Sequence, residues 1–278
     1  MEFLSGFIKT KDNLYVKPWG NGMAYANYPV LSFIKKSLKY ISSTDNNMID
    51  IGAGDAPYKI LFKEYVKEYT TFDYPDSNKN FEKRDEINLE GSLSDENLKL
   101  PKKYDIALCT EVLEHVPNLE LAFGNLNKIL EKGGLLLLTT PFLYPSHMQP
   151  YNYFHCTKYG LFELANRYNF EIIYYESRGT IFSTLFLICY SFLYQIFGII
   201  SLPLKLISPK LYKLVIKFYE LVFNIVTLPI QLILYIIDKF ELIFRNNLPL
   251  KLKNKYDDVI YGKYSNGTML VLRKKNDI

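Results

Sequence analysis

The chain has 278 residues, 49% apolar and 22% charged, a balance that excludes an intrinsically disordered chain and allows one large domain or a domain carrying a sizeable insert. A formal net charge of +4 is too mild for the basic footprint of a nucleic-acid binder, so no nucleic-acid partner is expected. The three cysteines, Cys109, Cys156 and Cys189, form no C-x-x-C pair. Neither a disulfide framework nor a cysteine zinc site is expected, and the compartment is expected to be reducing.

"MEFLSGFIKTK" lacks a charged segment ahead of an apolar core and does not read as a signal peptide. Residues 1–47 are expected to form a helical cap. In it "LSFIKKSLKYI" (31–41) has amphipathic helical spacing, and Trp19 in "VKPWGNG" is a candidate lid residue. The first strand is 48–51. Residues 57–69 have helical spacing, with Pro57 suited to a first turn. "YTTFDYP" is a second strand ending at Asp73, "DEINL" a short third and "YDIALCT" a fourth. A helix through "LELAFGNLNKILEKGG" is expected to close at Gly133–Gly134. "LLLLTT" is apolar enough for a strand buried on both faces. "TKYGLFELANRYN" reads as a helix, "FEIIYYES" as a strand and "GTMLVLRKK" as the last strand. Strands alternating with helices give a parallel α/β class. The α/β part spans 48–180 and is completed by 259–278.

Between those parts lies an apolar helical insert, residues 181–258. Residues 179–204 and 221–237 carry no charge, and Lys205, Lys210, Lys213, Lys217 and Glu220 lie between them. The first run is long enough to cross a bilayer. Because the sheet resumes afterwards, the chain must cross twice or not at all. Two crossings would put four lysines on the far side, against the positive-inside rule. Pro203, Pro209 and Pro229 are expected to break the segment into shorter pieces. The expectation is therefore amphipathic helices over 181–245 lying on the inner face of the cytoplasmic membrane, the lysines meeting anionic lipid. A two-span hairpin, and a packed subdomain or homodimer interface, are the alternatives.

"MIDIGAGDAPY" (48–58) carries the main functional signal. In an open parallel sheet ligands bind beyond the carboxyl ends of the strands. Gly52 and Gly54 allow close backbone approach, and the helix expected after Pro57 adds a positive dipole end. The third glycine of G-x-G-x-x-G is replaced by Pro57, so a dinucleotide fits poorly. Asp50 precedes the turn, and Asp73 ends the next strand, where a carboxylate accepts both hydroxyls of a ribose.

These stretches, with "YDIALCTEVLEHVPN" and "GGLLLLTTPF", resemble the successive motifs of class I S-adenosylmethionine-dependent methyltransferases. The resemblance covers about 48–178 and resumes at the last strand. It implies a Rossmann-like, mostly parallel seven-stranded sheet with helices on both faces, and S-adenosylmethionine as cofactor, bound without metal. Gly52 and Gly54 then line its methionine part, Asp50 orders the turn and approaches its amino group, and Asp73 binds the ribose. Asn88 or Leu89 lies beside the adenine, and Thr110 and Glu111 close the site. "PFLYPSHMQPYNYFHCTKYGLFEL" is similar to methyltransferases of bacterial surface-polysaccharide biosynthesis, whose acidic residue, aspartate and arginine are here Met148, Asn152 and His155.

The only histidines, His115, His147 and His155, follow the fourth and fifth strands, at the active-site edge. His147 is the candidate base or acceptor contact. His115 is alternatively a packing residue beneath the cofactor turn, His155 a helix cap, and Glu114 a helix-start charge. Tyr144, Tyr151 and Tyr153 form a candidate aromatic wall. The expected activity is O-methylation of a hydroxyl on a sugar or glycan precursor. A small lipid or quinone acceptor, or an inactive cofactor-binding membrane scaffold, is the alternative.

Overall fold

A computed structural model describes residues 7–9, 14–16, 22–75, 87–247 and 264–275. Trp19 lies outside them. Two short strands, β1 (Phe7–Lys9) and β2 (Leu14–Val16), pair with each other. They are followed by helix α1 (Gly22–Ser37), which starts nine residues before the expected Leu31. The main sheet contains β3 (Asn47–Ile51), β4 (Glu68–Asp73), β5 (Leu89–Glu90), β6 (Tyr104–Thr110), β7 (Leu130–Pro141), β8 (Phe170–Arg178) and β9 (Gly267–Lys274). Its order is β5-β4-β3-β6-β7-β9-β8. β3 to β7 run parallel, and β9 runs antiparallel between β7 and β8.

The period-2 alternation of the strands divides the core between two faces. On one face Ile49, Ala107, Leu136 and Leu270 pack with Phe123 and Leu126 of α3 (Leu119–Ile129) and Leu161 of α4 (Lys158–Arg167). On the other, Met48, Ile106, Leu137 and Met269 pack with Val30, Phe33 and Ile34 of α1 and with Phe62 of α2 (Lys59–Phe62). Helices therefore cover both faces, as a parallel sheet requires.

Two elements are shorter than their spacing suggests. The helix expected over 57–69 is the single turn α2, because the chain turns at 63–65 and enters β4 at Glu68. α3 ends at Ile129, not at Gly133–Gly134, and β7 begins at once. The buried Lys274 ammonium, from the far end of the chain, takes the carbonyls of Asn127 and Leu130.

The insert is longer in its elements than expected. α5 (Ile181–Ile207) and α6 (Pro209–Asn246) are continuous through Pro203 and Pro229, and only Pro209 sits at a helix start. The chain divides into two compact units. One contains the first half of α1 with α5 and α6, and the other the second half of α1 with the seven-stranded sheet.

Candidate active site

The turn after β3 is built for glycine. Gly52 has φ +66°, and a Cβ there would meet Val112 Cγ2 at 2.4 Å. Its N–H donates to the Phe72 carbonyl at 2.8 Å. Gly54, φ +51°, donates its N–H to Asp73 Oδ2 at 2.9 Å, while Asp73 Oδ1 accepts from the Tyr74 N–H at 2.7 Å. Asp73 thus braces the turn from the neighbouring strand. The dipole end expected at Pro57 is reduced to a four-residue helix, so backbone N–H groups and carboxylates are what the turn offers a ligand.

Asp50 is buried under this turn and accepts from the Tyr69 hydroxyl at 2.5 Å. Burial raises its pKa to about 7; the Tyr69 bond opposes this rise and nearby Asp73 adds to it. Asn88 spends its side-chain oxygen on Thr71, from N–H at 2.9 Å and Oγ1 at 3.0 Å, and so pins β5 to β4. Leu89 is half-buried against the core.

Thr110 ends β6, and Glu111 follows at φ +56°, a conformation that a non-glycine residue adopts only when its surroundings hold it. The surroundings are specific. Its N–H reaches the Thr139 carbonyl at 3.0 Å, Oε1 accepts from Thr139 Oγ1 at 2.8 Å, and Oε2 pairs with the guanidinium of Arg178. Arg178 is fully buried and lies over the Tyr144 ring, 5.1 Å from its centroid. Sequence reasoning missed Arg178. Its only signal was a cation at the carboxyl end of an apolar strand.

His115 and His147 gather at Glu114, and His155 lies beside His147. Glu114 lies in the first turn of a 3-10 helix, Leu113–His115, as a helix-start charge would, but is 1% exposed. Neither of its oxygens has a hydrogen-bond partner among the described residues, and Oε1 lies 3.7 Å from His115 Nε2 and 3.9 Å from His147 Nε2. Burial, and then the charge of Glu111, raise its pKa well above the usual carboxyl range. His115 Nδ1 meets the Tyr151 carbonyl at 2.5 Å and His147 Nδ1 meets the Pro145 carbonyl at 3.1 Å. A carbonyl only accepts, so both Nδ1 atoms carry the proton and both Nε2 atoms keep a lone pair in the neutral rings. Burial lowers the pKa of His115, His147 and His155. The rings of His115 and His147 are edge-on at 4.9 Å, with Tyr144 and His155 at 5.3 and 6.3 Å from His147. His155 does not cap the following helix; Thr157 does, through Gly160 N–H at 3.2 Å. Tyr151 and Tyr153 are exposed and Tyr144 is half-buried. Glu114, His115 and His147 offer one ligand atom each within 4.8 Å of one another, so this group, outside the glycine turn, could hold a cation.

A methyltransferase-domain family model matches residues 24–175, more than half of the chain. The chain belongs to the methyltransferase-domain family. Solved structures similar to this methyltransferase include the [4+2]-cyclase SpnF, with TM-score 0.51 and 12% identity over 92% of this chain and 82% of that one. Others are YcgJ of Bacillus subtilis, with TM-score 0.48 and 12% identity over 89% and 100% of the two chains, and the "O-MT" segment of StiE, with TM-score 0.48 and 14% identity over 92% and 77%. No curated protein sequence matches the chain.

The cofactor expected of a methyltransferase with this fold is S-adenosylmethionine, and the glycine turn fits it. A Cβ at Gly52 is disfavoured by Val112 and by the left-handed backbone, and Asp50 and Asp73 stand beneath and beside the turn, carboxylates of the kind an ammonium and a ribose need.

Proposed function

We propose that this methyltransferase O-methylates a hydroxyl of a sugar or glycan precursor in surface-polysaccharide biosynthesis, at the cytoplasmic membrane face. One observation carries the acceptor class. Glu114 Oε1 and Oε2, Asn152 Nδ2 and His155 Nε2 are all buried without a hydrogen-bond partner among the described residues. The loop bearing Asn152 and His155 is tied to the Glu114 backbone carbonyl, which accepts from the Tyr153 N–H at 2.7 Å. Buried polar atoms are normally paired, and a polyhydroxyl acceptor offers both donors and acceptors to such a set.

In this reading Gly52, Gly54 and Asp50 line the amino-acid end of the cofactor, Asp73 takes the ribose, Asn88 and Leu89 border the adenine, and Thr110 and Glu111 close the site. The cofactor, when bound, supplies a methyl group on a cationic sulfur. The protein positions the acceptor against it, an effect worth up to roughly 7–11 kcal/mol. His147 Nε2 takes the hydroxyl proton as the oxygen reacts, while the Pro145 carbonyl holds the ring in the tautomer that can do so. His115 and the buried Glu114 carboxyl steady that ring, and His155 contacts the acceptor.

The test is a transfer assay with methyl-labelled cofactor offered separately to nucleotide-linked sugars, lipid-linked sugars and quinones. Label in a base-stable ether on a sugar supports the reading. Label on a quinone or on an amine overturns it.

A further inference from the structure

We propose that the α5–α6 hairpin crosses a lipid bilayer and does not lie on its surface. The proposal is independent of the acceptor. It rests on how the two helices distribute polarity.

The hairpin is polar inside and apolar outside. Across its seam the Tyr190 hydroxyl donates to Asn224 Oδ1 at 2.8 Å and the Tyr194 hydroxyl to Glu220 Oε1 at 2.6 Å. Near the base the Thr180 hydroxyl donates to Asp238 Oδ1 at 2.6 Å. Asn224, Thr227 and Gln231 are buried along the same side of α6. The outer sides carry exposed Phe192, Ile199, Leu214, Val226, Ile233 and Phe240. In water this arrangement is inverted. In hydrocarbon, polar groups belong between helices and apolar ones against the acyl chains.

Length and charge fix the depth. The seam pairs position α5 residues 181–200 beside α6 residues 218–237. Each stretch of 20 residues rises about 30 Å, the thickness of a bilayer's hydrocarbon core. The first stretch carries no charge, and the second carries only Glu220, whose carboxylate is turned into the seam. Charges resume on both sides, at Lys205, Lys210, Lys213 and Lys217 around the tip and at Asp238, Lys239 and Glu241 at the base. Most of the apolar length of both helices is left uncovered by the rest of the described protein.

A helix lying on a membrane needs a charged face for the water. Within the two stretches, the exposed residues other than Cys189 and Gln195 are all apolar, so neither helix has such a face. The tip lysines do not forbid crossing. Lys239, Arg245, Lys251, Lys253 and Lys255 follow the second stretch in sequence and outnumber them five to four, which sets the tip on the far side. Because β8 and β9 pair directly from Arg178 and Gly267, the chain leaves and re-enters the sheet at one place, as two crossings demand.

The experiment uses the full chain, reconstituted by detergent removal into phosphatidylethanolamine–phosphatidylglycerol vesicles. Lys210→Cys at the tip and Lys103→Cys on the sheet domain, each exposed, are treated separately with a membrane-impermeant maleimide, the native cysteines replaced by serine. A crossing hairpin makes the two labels complementary: the fraction of Lys210→Cys labelled equals the fraction of Lys103→Cys protected, and detergent exposes both fully. In a Lys103→Cys/Lys210→Cys double variant, molecules that carry both labels before detergent is added, read by mass spectrometry, overturn the proposal in favour of surface attachment. Failure to float with the vesicles overturns it in favour of a hairpin covered by protein, such as a second copy. A fluorophore on native Cys189, about halfway along the first stretch, gives a reading without tip variants. Quenching is strongest with the quencher at the bilayer centre if the hairpin crosses, and strongest with a headgroup-level quencher if it does not.

Discussion

Asp73 Oδ2 accepts the backbone N–H of Gly54 at 2.9 Å, so one carboxylate both ends β4 and fixes the turn after β3. Replacing Asp73 by Ala removes this bond and the proposed acceptor for the ribose. An unpaired buried polar group costs about 1–3 kcal/mol, so cofactor affinity measured by calorimetry is expected to fall roughly 5- to 150-fold. Asp73→Asn, which still offers one oxygen, falls less. Unchanged affinity in both variants would place the ribose elsewhere.

Gly52→Ala is expected to destabilise the fold. The added Cβ meets Val112 Cγ2 at 2.4 Å on a backbone at φ +66°. The left-handed conformation alone costs about 1–2 kcal/mol in an L-residue. Val112→Ala in the same chain should recover only the steric part, so thermal denaturation of the single and double variants separates the two costs. Full recovery would mean that the backbone is not strained there.

The burial of Asp50 makes stability pH-dependent. Its folded-state pKa is raised to about 7, so its contribution is fully present below the unfolded value near 4 and is lost as pH rises through 7. The loss is on the order of 3–5 kcal/mol. Denaturant titrations between pH 4 and 8 should show wild type losing more stability than Asp50→Asn. In the same window cofactor affinity should rise with pH, because an ammonium beside Asp50 binds the ionised form. Parallel pH profiles for wild type and variant would contradict both expectations.

The pair between buried Arg178 and half-buried Glu111 holds the strained residue after β6. Removing the partner of a fully buried charge typically costs about 3–5 kcal/mol, and the partial exposure of Glu111 reduces this for the loss of Arg178 to about 1–3 kcal/mol. Arg178→Met is expected to lower stability by about that amount and to weaken cofactor binding, since Glu111 then loses its anchor. Glu111→Gln together with Arg178→Met should cost less than the sum, which a double-mutant cycle measures.

Local signals explain which parts of the fold were legible in the sequence. β6 was readable to the residue because "YDIALCT" is an apolar run with clear ends. The end of α3 was not, because Lys274, 147 residues away from Asn127, takes the last carbonyls. α2 was over-read because helical spacing continues past Phe62 although the chain has to turn into β4. The turn at Gly52 and Gly54, with Asp50 before it and Asp73 at the end of the next strand, was legible because a strand–turn–helix pattern and the end of an apolar run mark those positions locally. Arg178 and Glu114 were not, since a partner 67 residues away makes the first matter and burial the second. The polar seam of α5–α6 stayed hidden for the same reason: Tyr190 and Asn224 meet only once the hairpin folds.

The central claim is that the methyltransferase moves a methyl group to a hydroxyl whose proton goes to His147. Turnover with the acceptor found in the transfer screen, set against cofactor affinity, tests it most directly. His147→Ala is expected to lower kcat by about 10²–10⁴-fold and to leave the dissociation constant for S-adenosylmethionine nearly unchanged. Undiminished kcat, or an equal loss of cofactor affinity, would contradict it.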